Sequence, residues 1–180
     1  MSGRAGKRER TGRYLAAKVC QGIGTTLLVL LVLCCLPLTV PRVFGYQIYT
    51  VISGSMEPKI PVGSLLYIQK GEPEEMEAGD VIAFYGAAES GAIITHRVVE
   101  NRVVMGELIT KGDANEREDV RPVAYGNVIG KVVLSLPGVG LVAEKVTSRE
   151  GKMVAGGVVV LAVVLQLLGG WVGERRVHHR

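Results

Sequence analysis

The sequence predicts a mainly β protein: a small β domain with coil-rich loops, flanked by two transmembrane helices. Two uncharged apolar stretches, 23–40 and 153–173, are each long enough to cross a membrane. Between them, short alternating or β-branched runs are separated by turn-rich segments. No helical pattern of globular length is persuasive between the first apolar stretch and residue 138. The middle of the chain therefore predicts a small β-sandwich or barrel.

The first apolar stretch, Ile23–Val40, contains seven leucines, one isoleucine and three valines. At about 1.5 Å per residue it spans about 27 Å, close to the ~30 Å hydrocarbon core of a bilayer. A cleavable signal peptide also begins with positive charge and an apolar stretch, but its apolar core is shorter. No small-x-small cleavage motif follows this stretch, which continues as LPLTVPRVFG. We therefore expect a retained anchor.

The second apolar stretch, Met153–Gly173, is rich in valine and leucine and has Trp171 near its end. A buried helix of a soluble protein is the alternative, but the length favours a crossing helix. Residues 1–18 carry six basic side chains and one acidic side chain, and Arg175 and Arg176 follow the second stretch. Basic residues flank the cytoplasmic ends of membrane helices. This predicts a two-pass cell-membrane protein with both termini in the cytoplasm and its middle outside.

The predicted order of segments follows from these boundaries. It is a basic cytoplasmic tail 1–18, transmembrane helix 1 at 19–41, an extracytoplasmic β domain 42–137, a linker 138–152, transmembrane helix 2 at 153–173, and a basic cytoplasmic tail 174–180. Seven strands are predicted in the β domain, over 47–52, 64–69, 80–85, 93–100, 102–105, 107–110 and 127–134. Glu100-Asn101 and Met105-Gly106 are predicted to be tight connections, and 86–92 a turn.

Several kinds of site are disfavoured. The three cysteines, Cys20, Cys34 and Cys35, lie in or beside the first apolar stretch, so they form no disulfide framework or CxxC metal site. The acidic segment 113–119 lacks the glycine and late glutamate of a calcium loop. There is no phosphate-binding glycine-rich loop and no basic-aromatic surface for nucleic acid. We expect no metal, no cofactor and no nucleic-acid partner.

A few polar residues of the middle could carry chemistry. Ser55 follows Gly54 where a β-favouring run ends, so it is either a turn residue or a nucleophile. His96 is the histidine of the middle segment and lies in an apolar predicted strand. It is either a buried core residue or a general base. Asp113 and Asp119 share a loop in which acidic residues are ordinarily turn formers or caps. The residues alone leave these alternatives open.

Five stretches, taken in order, resemble the conserved boxes of the type I signal peptidases. They are SGSMEP, PVGSLLYI, AGDVIAF, THRVVE and KGDANEREDV, and GKVVLSLPGVG resembles the segment that leads to a second anchor in some members. The similarity runs from about Thr50 to Gly140. Typical bacterial members have lysine followed by arginine where this chain has His96 and Arg97. This resembles the endoplasmic-reticulum and archaeal-type Ser-His-Asp branch, which also occurs in Gram-positive bacteria.

The resemblance implies a signal-peptidase-like β domain and a membrane-bound serine endopeptidase. Such an enzyme cleaves N-terminal signal peptides from secreted preproteins at the outer membrane face. Ser55 is the expected nucleophile, His96 the general base and Asp119 the carboxylate that orients it, with Asp113 in support. The Ser53 hydroxyl and the Ser55 backbone N–H are the expected oxyanion hole. Expected partners are signal peptides, the lipid bilayer and nearby translocation machinery.

Other interpretations remain at this stage. The family also has a serine–lysine form, but Lys59, Lys70 and Lys111 are more simply solvated or structural, and an ion pair would keep Lys111 charged. A catalytically idle membrane-anchored domain that binds peptides is the alternative from another functional class. A dedicated processing peptidase for a few spore or matrix proteins would use the same residues.

Overall fold

A computed structural model of the chain describes residues 3–86 and 91–174. Most of the predicted tail 174–180 and the centre of the predicted turn 86–92 lie outside these residues. The chain divides into two compact units, one combining Met1–Pro37 with Val146–Arg180 and the other comprising Leu38–Lys145. The helices are α1 (Gly3–Val43), α2 (Val139–Thr147) and α3 (Arg149–Glu174). The strands are β1 (Gln47–Thr50), β2 (Leu65–Gln69), β3 (Val81–Tyr85), β4 (Ile93–Arg102), β5 (Glu107–Lys111), β6 (Val123–Ala124) and β7 (Val128–Leu136).

Two helices are long and apolar enough to cross a membrane, as predicted. The spans are Tyr14–Val43, with a mean hydropathy of 2.5, and Arg149–Trp171, with a mean hydropathy of 2.3. In the helical unit they approach closely at Gly24, where an added Cβ would lie 2.8 Å from the carbonyl oxygen of Ala162. A larger residue at position 24 would therefore force the two backbones apart, since small residues permit such close helix contacts.

The β unit is a curled sheet of seven antiparallel strands, which confirms the predicted mainly β class. The strand order is β1-β2-β7-β3-β4-β5-β6, so β7, late in the chain, inserts between β2 and β3. Successive side chains of a strand point to opposite faces. Side chains of β3 accordingly enter two separate cores, which places this strand at the centre of the unit.

The two cores lie on opposite faces of β3. The first core consists of Met56, Ile60, Leu66, Ile68, Ala83 and Ile129. The second core consists of Met76, Ile82, Phe84, Val98, Leu108 and Val123. In the β3–β4 register Ile82 is opposite His96, and Val81, which packs against the first core, is opposite Arg97. His96 and Arg97 are therefore held on different faces of β4.

The predicted strand 102–105 and the predicted turn at Glu100-Asn101 are wrong. β4 continues to Arg102 through a register shift between Val98 and Glu100, and Val103–Met105 is a 3₁₀ turn. Asn101 stays in the strand because its side-chain amide donates hydrogen bonds to three carbonyl oxygens, those of Pro73, Glu74 and Met76, at 2.8–3.1 Å. Asn101, which is typical of turns, therefore lies in a strand and binds the 3₁₀ turn at Pro73–Glu75 through its side-chain amide.

Two further differences concern short or connecting elements. The two-residue strand β6, which pairs with β5 at Glu107 and Leu108, was not predicted, because two residues are too few to show alternation. The predicted linker 138–152 contains the helix α2. The predicted connection at Met105-Gly106 is confirmed, with Gly106 in the left-handed region directly before β5.

Candidate active site

Ser55 lies in a turn-rich segment after β1, and the next residue anchors it. Met56 and Ile60 are both buried in the first core, and the Ile60 N–H donates to the Met56 carbonyl oxygen at 2.9 Å. Ser55 itself remains partly exposed. The segment therefore holds the serine backbone by apolar contacts on one side while its hydroxyl group stays accessible.

His96 forms a hydrogen-bonded pair with Asp119. Its Nδ1 atom lies 2.6 Å from Asp119 Oδ2, and the two side chains are 11% and 23% exposed. The same carboxylate oxygen accepts a hydrogen bond of 2.6 Å from the hydroxyl of Thr110, which is fully buried on β5. Two partners thus fix the carboxylate against the imidazole. Because Nδ1 faces a carboxylate, it carries the proton in the neutral ring, and Nε2 is left as the basic nitrogen.

Asp113 has a different partner, the guanidinium group of Arg97. Arg97 Nε donates to Asp113 Oδ1 at 2.7 Å and its Nη2 atom donates to Oδ2 at 2.6 Å. A third donor, Arg97 Nη1, bonds the carbonyl oxygen of Gly79 at 2.6 Å. These hydrogen bonds from Arg97 lower the pKa of Asp113 below its ordinary value, and Lys59 nearby acts in the same direction. Asp113 is therefore a carboxylate held by a two-bond ion pair.

The Asp113 loop contacts the backbone of Ser55. The Ala114 N–H donates to the Ser55 carbonyl oxygen at 2.9 Å. Gly112 packs so closely that an added Cβ would lie 2.6 Å from the same oxygen, nearer than any side chain permits. The Arg97–Asp113 pair thus stabilises the loop that fixes the position of Ser55, while Asp119, six residues later, bonds His96.

Two clefts are lined by these residues. The serine cleft, of about 460 Å³, is lined by β1, by Ser53 and Ser55, and by the start of β4. The histidine cleft, of about 400 Å³, is lined by His96 and Asp119 together with apolar and polar neighbours. Ile94 lines both clefts. Ser55 and His96 therefore line separate clefts that share one residue of β4.

Some predicted site residues are not in direct contact. Ser53 Oγ and Ser55 Oγ lie 3.5 Å apart, at the limit of a hydrogen bond. Within 3–86 and 91–174 no hydrogen bond joins Ser55 to His96 or to any of the three lysines considered as bases. In enzymes in general, catalytic hydrogen bonds are often long before a substrate binds. No group of three metal-binding side chains occurs in the part of the chain that the structure describes.

The comparisons with known proteins concern the family of the chain. The family described as "Signal peptidase, peptidase S26" matches residues 23–101. Signal peptidase I W of Bacillus subtilis is 41% identical over 91 residues, which cover 49% of this chain and 47% of that protein. The signal peptidase complex catalytic subunit SEC11 of Ogataea parapolymorpha is 36% identical over 122 residues, covering 57% of this chain and 68% of that protein. This chain belongs to the signal peptidase family.

A second fungal relative extends the match. The SEC11 subunit of Fusarium vanettenii is 36% identical over 130 residues, covering 66% of this chain and 75% of that subunit. The chain spans about half the length of the Bacillus relative. The resemblance inferred from the five motifs is thereby confirmed at the level of the type I signal peptidase family.

Two contacts of this candidate site were not predicted. The sequence predicts Thr110 only as the end of a strand and Arg97 only as the residue after His96. Strand alternation does place Arg97 on the face opposite His96, where a second acidic partner would be needed. That alternation, together with two aspartates in one loop, is the signal that could have indicated two separate pairs.

Proposed function

We propose that this protein is a membrane-bound serine endopeptidase that removes N-terminal signal peptides from secreted preproteins at the outer membrane face. Ser55 is the nucleophile, His96 the general base and Asp119 the carboxylate that orients the imidazole. The observation that carries the proposal is the 2.6 Å hydrogen bond between His96 Nδ1 and Asp119 Oδ2, which is the orienting contact of a serine–histidine–aspartate site. Membership of the signal peptidase family supports the substrate class.

The reaction would proceed in two stages. Ser55 Oγ attacks the scissile carbonyl carbon and its proton passes to His96 Nε2, which forms a tetrahedral oxyanion. The C–N bond then breaks, and the leaving amine takes the proton from Nε2. Water, deprotonated by the same nitrogen, hydrolyses the acyl-enzyme and restores Ser55. Asp119 stabilises the imidazolium at each stage, because its carboxylate is already hydrogen-bonded to Nδ1.

The oxyanion requires donors on the serine side. The Ser53 hydroxyl, 3.5 Å from Ser55 Oγ, and the Ser55 backbone N–H are the proposed donors. One donor of this kind contributes about 2.7–4 kcal/mol to transition-state stabilisation. In this proposal Asp113 supports the site through Arg97 and the loop that contacts Ser55, not through the imidazole.

The membrane arrangement is also part of the proposal. Both termini lie in the cytoplasm, the two anchors are 19–41 and 153–173, and the catalytic domain 42–137 lies outside. The excess of basic residues before the first anchor and after the second supports this orientation. The enzyme would then meet preproteins as they leave the translocation machinery. Labelling of single cysteines placed at positions 12 and 116 of a cysteine-free variant, in intact and permeabilised cells, tests this orientation.

The chemistry is tested by cleavage of a preprotein with the detergent-purified full chain. We expect processing by the wild type and its loss in Ser55→Ala, in His96→Ala and, to a large extent, in Asp119→Asn. Lys70→Ala is the matched control and retains activity. Undiminished cleavage by His96→Ala would remove histidine as the base. Absence of cleavage for every preprotein, with peptide binding retained, would favour the idle peptide-binding domain, and cleavage of only one or two substrates would favour a dedicated peptidase.

A further inference from the structure

We infer that the histidine cleft binds the first residues after the cut, and that Arg121 at this cleft favours an acidic side chain among them. This inference rests on the proposed peptidase function and deepens it. It assigns a charge preference to the mature end of the substrate, on the side of the scissile bond opposite the signal peptide.

The positions of the two catalytic groups set the direction of the substrate. The serine cleft is lined by Tyr49 and Thr50 of β1 together with Ser55, so the acyl half of the substrate belongs there. The leaving amine must lie next to His96 Nε2 to receive its proton. Ile94 lines both clefts, and in this inference the substrate chain passes that residue on its way from the serine cleft to the histidine cleft.

The histidine cleft has a size suited to a short peptide segment. Its volume of about 400 Å³ falls within the range of about 300–1,000 Å³ that is usual for ligand sites. Phe84, Tyr85 and Val123 provide apolar walls, and Asn127 provides a side-chain amide. Such a space can hold two or three small residues in extended conformation.

The acidic and the basic side chain of this cleft differ in whether they already have a partner in the protein. Asp119 is committed to His96 and Thr110 through hydrogen bonds of 2.6 Å. Arg121 also lines the cleft, is exposed, and forms no ion pair with any carboxylate among the residues that the structure describes. The charge offered to a substrate is therefore positive, and a carboxylate on the substrate is the group that it attracts.

The test uses preproteins that are identical except for one residue, Asp, Asn or Lys, placed in turn at the first, second or third position after the cut. At the best position, we expect the wild type to cleave the Asp substrate with a kcat/KM about two- to five-fold above that of the Asn substrate, as for an exposed ion pair. Arg121→Gln should abolish this preference, and Arg121→Glu should transfer it to the Lys substrate. High salt should weaken it in the wild type.

The control is Arg117→Gln, which removes an exposed arginine of the same loop that does not line the cleft, and it should keep the preference. Equal rates for the three substrates at all positions in the wild type would overturn the inference, as would a preference that survives Arg121→Gln.

If the wild type cuts no substrate, the proposed function fails. The charge preference is then tested separately by measuring the binding of peptides. Fluorescent peptides with the mature N-terminal sequence and Asp or Lys at each position would be titrated against Ser55→Ala by anisotropy. Tighter binding of an Asp peptide that is lost on adding Arg121→Gln supports the charge preference. Equal binding of Asp and Lys peptides overturns it.

Discussion

Replacement of Asp113 by asparagine should destabilise the β domain at neutral pH. The change removes the charge that faces Arg97 and breaks at least one of two hydrogen bonds, of 2.6 and 2.7 Å. Exposed ion pairs contribute about 0.2–1 kcal/mol, whereas breaking a buried pair costs about 3–5 kcal/mol. The side chains of Arg97 and Asp113 are 27% and 14% exposed, so this pair lies between these limits. We therefore expect a loss of about 2 kcal/mol in the free energy of unfolding.

The assay is a urea titration of the full chain in detergent, with the folded fraction of the β domain measured by pulse proteolysis. With slopes of about 1–3 kcal/mol per molar urea, the midpoint at pH 7 should fall by about 1 M. The exposed pair of Arg102 and Glu100, at 3.2 Å, provides the control, and Glu100→Gln should leave the midpoint unchanged. Equal midpoints for wild type and Asp113→Asn at pH 7 would refute this reasoning.

The pH dependence of the same difference tests its electrostatic origin. The pKa of Asp113 is lowered in the folded state from its ordinary value of 3.8, chiefly by hydrogen bonds from Arg97. The carboxylate therefore contributes stability that is fully present above the ordinary pKa and lost as pH falls through the lower, folded-state pKa. The gap between wild type and Asp113→Asn should be constant from pH 7 to 5 and shrink below pH 4. A gap that persists undiminished into strong acid would contradict an ionic cause.

Three further predictions follow from the contacts around the site. Asp119→Asn should lower kcat for preprotein cleavage by about 10⁴ because the imidazolium of His96 loses its counter-charge; a kcat near that of the wild type would exclude this role. Gly112→Ala should displace the Ser55 backbone, since its Cβ would lie 2.6 Å from the Ser55 carbonyl oxygen, and a shift of about 1 Å can cost about 10²-fold in kcat. Met56→Ala should reduce the free energy of unfolding by about 2–5 kcal/mol in urea titrations, because Met56 is 1% exposed in the first core.

Local patterns in the sequence predicted most of the fold. Length and the absence of charge identify two possible membrane spans without tertiary information, and alternation places six of the seven strands. The alternation of apolar and polar residues does not predict a strand correctly where a side chain has a partner far away in the sequence. Asn101 has the composition of a turn but remains in β4 because its amide bonds carbonyl groups 25 to 28 residues earlier.

The candidate site residues could be named from local motifs, but not all of their contacts could be. The family motifs indicated Ser55, His96, Asp113 and Asp119, and the structure joins two of them, His96 and Asp119, by a hydrogen bond. The Arg97–Asp113 pair depends on which face of β4 each side chain occupies and on how the following loop returns to the strand. Spacing along the chain does not contain that information, because β5 and its register intervene between the partners.

The two aspartates of the loop after β5 bind different residues of β4, and their spacing is suited to both partners. Asp113 contacts one face of β4 through Arg97, and Asp119 contacts the other face through His96, so the six-residue interval between them matches the distance between the two partners. A single residue inserted or deleted between the two aspartates would remove none of these four side chains. We expect, however, that only one aspartate would then reach its partner, Arg97 or His96. Loops usually tolerate changes of length. In this loop we expect the number of residues to be constrained, because both pairs depend on it.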